Sequence, residues 1–122
     1  MFTSFLLCAA ITGLPVISGV LNAPNDAGTT LLIEFQEDSV REGEAAALLV
    51  QRRTAGDDPW ETVLTEVLPL ETGILADGFD PDYPIEPMVE YQYRPVYLTM
   101  EGDSLIGETF TQAELPRGEW FN

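Results

Sequence analysis

Apolar residues along this chain come in short runs, broken roughly every ten residues by turn formers. "PVISGVLNA" gives way to "PNDAGT", where Pro24, Asn25, Asp26 and Gly28 all favour turns, and "TLLIEF" follows, rich in strand-forming side chains. "ALLVQRRT" from Ala47 to Thr54 ends at the turn "AGDDP". "WETVLTEV" from Trp60 to Val67 then alternates imperfectly. "EYQYRPVYLTM" alternates Tyr91, Tyr93 and then, past Pro95, Tyr97, "EGDS" turns the chain, and "LIGETFTQA" brings it back. Strands at this spacing, about six or seven of them, predict an all-β antiparallel sandwich over residues 15–113. A helix competes at one place: "REGEAAALLVQR" has three successive alanines, which favour helix on propensity alone.

The two ends depart from this rhythm. Met1 to Asn25 contains no charged side chain, and "MFTSFLLCAAITGL", residues 1–14, is apolar apart from threonine and serine. A helix is predicted there. A spanning helix needs about 20 residues, which Met1 to Leu21 could supply if the anchor reached residue 21; Gly13 and Pro15 interrupt it, and residues 1–14 alone would reach roughly 21 Å. Three destinations compete: a membrane, a partner protein, or the chain's own core or an export signal. A signal peptide would ordinarily start with basic residues, which are absent here. The side chains offered to a membrane or partner are Phe2, Phe5, Leu6, Leu7, Ile11 and Leu14. Cys8, the sole cysteine, can form no internal disulfide and reads as a small apolar residue on a helix face. At the other end, "ELPRGEWFN", residues 114–122, places Trp120 and Phe121 after the last strand, to clasp the domain's open end or fill a partner's groove.

Charge narrows the partners. The chain has 21 Asp and Glu against five cations and a net charge of -16. All five cations are arginines, and there is no lysine or histidine. A field of this sign repels phosphate backbones, so nucleic acid is excluded as an expected partner. Acidic excess without lysine fits life in high salt, and arginine in place of lysine equally fits a GC-rich genome.

Site chemistry is sparse. Without histidine there is no imidazole base, no Ser-His-Asp arrangement and no Cys-His pair, and nothing in the spacing of the carboxylates selects a pair for glycoside hydrolysis. The expectation is no enzyme and no cofactor. Asp77, Asp80 and Asp82 place three oxygen donors at short spacing as calcium sites do, but without the twelve-residue loop that ends in a bidentate glutamate, so a solvated turn is the stronger reading.

Four stretches resemble the fibronectin type III family, in particular the bacterial variety in which a "PND.GG" turn joins the first two strands. "APNDAGTTLLIEF" is similar to its first hairpin, with Phe35 where the family has a buried tryptophan. "LLVQRRTAGDDPWETV" is similar to its third strand and successor, with Leu48 and Val50 in place of Tyr-x-Val and Trp60 opening the next strand. "IEPMVEYQYRPVY" resembles "L-x-P-x-x-x-Y-x-Y-R-V". "EGDSLIGETFTQA" resembles the last turn and strand. The resemblance implies an immunoglobulin-like sandwich in which Ile85 and Pro87 set a corner, Tyr91 turns its ring into the core and bonds its hydroxyl back to the chain, Tyr93 fills the next inward position, and Arg94 faces out. Two departures carry expectations of their own. Pro95 stands where the family has valine, predicting a bulge or an early strand end. "ETGILADGFDPDYP" is longer and more acidic than the family's link at that place, predicting an insertion.

The functional expectation is a non-catalytic accessory subunit of a larger, membrane-embedded and for example energy-transducing assembly. The apolar segment would sit in the membrane or the complex, and the acidic domain outside the cytoplasm would contact protein subunits. Alternatives are a phage head-decoration or tail component in the virion, and a secreted adhesion or carbohydrate-binding module. The fold by itself does not rank them.

Overall fold

Two sheets turn their alternating apolar positions toward each other, and the core forms between them. The computed structural model describes residues 13–22, 29–36, 39–40, 45–54, 56–78, 82–86 and 88–113. The strands are β1 (Ile17–Asn22), β2 (Leu31–Phe35), β3 (Ala45–Arg53), β4 (Glu61–Val67), β5 (Ile74–Asp77), β6 (Glu90–Thr99), β7 (Ser104–Ile106) and β8 (Phe110–Ala113). One antiparallel sheet has the order β1-β2-β5. In the other, β4, β3 and β6 lie side by side, and β7 and β8 share the far edge of β6. Ile17, Val20, Leu31, Ile33 and Phe35 from the first sheet meet Leu48, Val50, Val63, Tyr91, Tyr93 and Tyr97 from the second. Each large side chain removed from water in this layer contributes about 1.5–3 kcal/mol before the entropy of ordering is counted.

β3 settles the competition between helix and strand. Leu48, Val50 and Arg52 alternate on its inner side, and the strand is central, with β4 on one flank and β6 on the other. A helix over the alanines would have spread that alternating set around a cylinder and left both neighbours unpaired, so tertiary pairing overrides alanine's helical preference.

β6 corrects the expectation for Pro95. The strand runs unbroken past the proline, and its pairing with β3 keeps register from Arg53↔Gln92 through Val50↔Pro95 to Ala47↔Leu98. The Pro95 carbonyl accepts the Gly107 N–H at 2.9 Å, so the imide nitrogen of the same residue also faces the far edge and not β3. On that edge β8 pairs with Glu90 to Tyr93 and β7 with Val96 to Leu98. Pro95 occupies the gap between them, where no ladder donor is required. Gly107 makes the close approach possible, because a Cβ there would meet the Pro15 carbonyl oxygen at 2.2 Å and the Pro95 ring at 2.8 Å.

The stretch expected to be an inserted link contains β5. Leu31 to Glu34 of β2 pair with Asp77 to Ile74. The strand is four residues long and ends in a buried acid, which hid it from a reading based on apolar alternation.

β1 bears on the N-terminal reading. Ile17 and Val20 are core residues and the strand runs to Asn22, so an anchor extending to Leu21 does not fit. Among the described residues no helix is long and apolar enough to cross a membrane.

Candidate functional site

Among the described residues two networks of polar side chains stand out, one between the sheets and one on the outer face of the larger sheet. Inside, Arg52 on β3 reaches across to Asp77 on β5, with Nη1 to Oδ2 at 2.8 Å. The Tyr93 hydroxyl donates to the same oxygen at 2.7 Å, and Arg52 also donates to the Tyr83 and Pro84 carbonyls. Burial, followed by the Asp77 charge and its hydrogen bond, raises the Tyr93 pKa far above that of an ordinary phenol. Nearby, the Tyr91 hydroxyl accepts the Glu86 N–H at 2.8 Å, and its ring lies 5.0 Å from the Arg52 guanidinium carbon. This cluster ties the two sheets and the loop before β6 together. Its groups are already committed to one another and are closed to solvent.

The outer face differs in kind. Strand pairing sorts its outward side chains into rows. Val67, Ala47, Leu98 and Ser104 form one row, and Thr65, Leu49, Val96 and Ile106 the next. Thr62, Gln51 and Arg94 form the third, and Arg53, Gln92 and Thr111 the fourth. Ala47 and Val96 are buried yet stand apart from the core cluster, as expected of residues on the opposite side of the sheet. Val67 is 76% exposed and Ile106 44%. No carboxylate stands in these four rows; Glu90, the first residue of β6, is the next outward acid along that strand. In a chain of net charge -16 this face is an exception.

The third and fourth rows are fixed by side-chain bonds. Arg94 Nε donates to Gln51 Oε1 at 2.7 Å, and Gln51 Nε2 donates onward to Thr62 Oγ1 at 3.3 Å. Arg53 Nε donates to Gln92 Oε1 at 2.7 Å. Trp60, immediately before β4, lies under both cations, its ring centre 4.2 Å from the Arg53 guanidinium carbon and 4.5 Å from that of Arg94. Burial and then the Arg53 charge lower the Arg94 pKa below the ordinary guanidinium value.

The sequence-derived residues fall as follows. Phe35, Val50, Tyr91 and Tyr93 are buried, whereas Trp60 is half-buried beneath the two arginines. Arg94 lies on the outer face and Arg52 turns inward. Leu14 is 49% exposed just before β1. Asp77 is buried and engaged by Arg52 and Tyr93, so the solvated-turn reading does not hold for it; Asp82 is exposed. Among the described residues no three His, Cys, Asp or Glu converge as metal ligands. Phe2, Phe5, Leu6, Leu7, Cys8, Ile11, Asp80, Pro87, Trp120 and Phe121 lie outside the described residues. The outer platform escaped sequence reasoning, although the alternation of Gln51 and Arg53 against Val50 and Arg52 carries its signal.

No family model matches the chain, and no characterised protein matches it by sequence. Solved structures do. One described as "Myokine structure" matches with a TM-score of 0.58 at 17% identity, over 86% of this chain and 98% of that one. The pectate lyase PelI from Erwinia chrysanthemi matches at 0.56 and 16%, over 83% of this chain and 28% of that one. The twitchin kinase region from C. elegans (Fn31-NL-kin-CRD-Ig26) matches at 0.56 and 12%, over 83% of this chain and 16% of that one. What they share with this chain is the fold, an Fn3/Ig-like β-sandwich.

Proposed function

We propose that this chain is a non-catalytic docking subunit, a fibronectin type III-like sandwich that attaches to a larger, membrane-embedded assembly. The observation that carries the reading is the outer face of the five-stranded sheet. Its apolar rows are partly uncovered and free of carboxylates, while the rest of the chain supplies an acidic exterior. The approach to β1 adds to it. Leu14 and Val16 are exposed large apolar residues just before β1 and flank Pro15, whose carbonyl lies close to Gly107 and Pro95, while Val67 and Met100 are exposed at the ends of β4 and β6. The uncharged stretch that begins at Met1 leads in sequence to Pro15, which lies at Gly107, the residue after Ile106 of the apolar rows. An apolar lead-in next to an apolar face suits a subunit seated on a hydrophobic partner or in a membrane, with its acidic surfaces in water.

The test is fractionation of cells expressing the full chain or a form lacking residues 1–12, which leaves β1 whole. The full chain is expected in the membrane pool with co-purifying protein, and the shortened form in the soluble pool. A full chain recovered as a soluble monomer without partners would overturn the proposal.

A further inference from the structure

Arg53 and Arg94 are two cations of five in a chain that carries 21 carboxylates, yet among the described residues neither forms a salt bridge. Each spends its Nε on a glutamine directly across the strand pair, and both rest on one indole. Among the described residues the terminal guanidinium nitrogens of both find no acceptor. Two like charges gathered on one indole raise each other's energy, and the Arg94 pKa is lowered first by burial and then by the Arg53 charge. A bound oxyanion would relieve the repulsion and accept bidentate bonds from groups whose rotamers are already fixed.

We propose that the Arg53–Trp60–Arg94 platform is a carboxylate-recognition site, and that its ligand is a polypeptide segment carrying Asp or Glu side chains next to apolar ones. The inference rests on the docking reading above and specifies the chemistry of the partner. The adjoining rows favour a polypeptide over other polyanions: Leu49, Val67, Val96, Leu98 and Ile106 continue the same face, and an acidic polysaccharide or a free phosphate has nothing to place on aliphatic side chains. The overall charge sharpens the choice. At physiological ionic strength charges are screened beyond about 8 Å, so the two guanidinium groups dominate at contact while acidic surfaces elsewhere turn the same ligand away.

The test titrates the full chain, labelled for NMR, with an eight-residue peptide alternating glutamate and leucine, and follows the arginine Nε–H signals. Glutamine–leucine peptide, polygalacturonate and inorganic phosphate serve as separate arms. The Glu–Leu peptide is expected to bind and shift the Arg53 and Arg94 signals, with at least a tenfold loss of affinity in R53Q/R94Q and a smaller loss in R53K/R94K, which keeps the charge without the planar fork. Equal binding of the glutamine peptide, equal affinity in R53Q/R94Q, or tighter binding of polygalacturonate or phosphate overturns the proposal. Co-purification separates it from its premise. Partners captured equally by the full chain and by R53Q/R94Q would leave docking intact and sink this inference, whereas absence of partners from both would sink the docking reading itself.

Discussion

Removing one member of the inter-sheet ion pair tests how the two layers are held. Arg52 and Asp77 have side chains 7% and 2% exposed, so neither can recover solvation if its partner is lost. Arg52→Met leaves the Asp77 carboxylate buried with the Tyr93 hydroxyl as its remaining donor among the described residues, and the expected cost is about 3–5 kcal/mol. Asp77→Asn leaves the guanidinium two carbonyl acceptors, at Tyr83 and Pro84, so its cost is expected near the lower end of that range. For a domain of this size about 3 kcal/mol lowers Tm by roughly 10–20 °C and removes a large share of total stability. The comparison that isolates the mechanism is Arg52→Met/Asp77→Leu/Tyr93→Phe, which replaces the whole cluster with apolar groups. It is expected to be more stable than either single variant, because the penalty lies in stranding a buried charge and not in losing the pair. Urea unfolding followed by tryptophan fluorescence gives the free energies. Single variants within 1 kcal/mol of the parent, or a triple variant no more stable than the singles, would refute the reasoning.

Three further outcomes follow from the geometry. Gly78→Ala is expected to cost well over 2 kcal/mol, since φ is +109° and a Cβ would meet the Thr29 carbonyl oxygen at 2.1 Å. Gly73→Ala, at φ +74° with nothing within 4 Å, should cost only about 1 kcal/mol; equal thermal shifts would show that the close approach is not the cause. Tyr91→Phe strands the Glu86 N–H and is expected to lose about 1–2 kcal/mol in chemical denaturation, with amide exchange at Glu86 accelerated; unchanged exchange would count against the corner bond. Tyr93 binds its proton more tightly folded than unfolded, so its contribution is fully present below pH ~10 and is lost as pH rises above it. Denaturation at pH 9 to 11 should show a decline steeper in the parent than in Tyr93→Phe by about 1.4 kcal/mol per pH unit above 10, and parallel slopes would overturn the assignment.

Much of the sandwich was legible because alternation is a local signal. Tyr91, Tyr93 and Tyr97 stand at period two, and burying one side of β6 sends all three into the core together. Turn residues bounded most of the strands for the same reason. Three things needed the assembled sheets. β3 is a strand because its two neighbours supply a ladder, which outweighs the propensity of its alanines. Pro95 sits mid-strand because its nitrogen faces the gap between β7 and β8, and which edge a residue's nitrogen faces is set by pairing and not by composition. The Arg53–Trp60–Arg94 platform combines β3, β6 and the residue before β4, 41 positions apart at its widest. The amino-acid order thus determined which side chains share a face of each strand, through the fixed period of the extended backbone. Which strands lie side by side, and therefore which charges meet or stay unpaired, was decided by packing over long sequence separations.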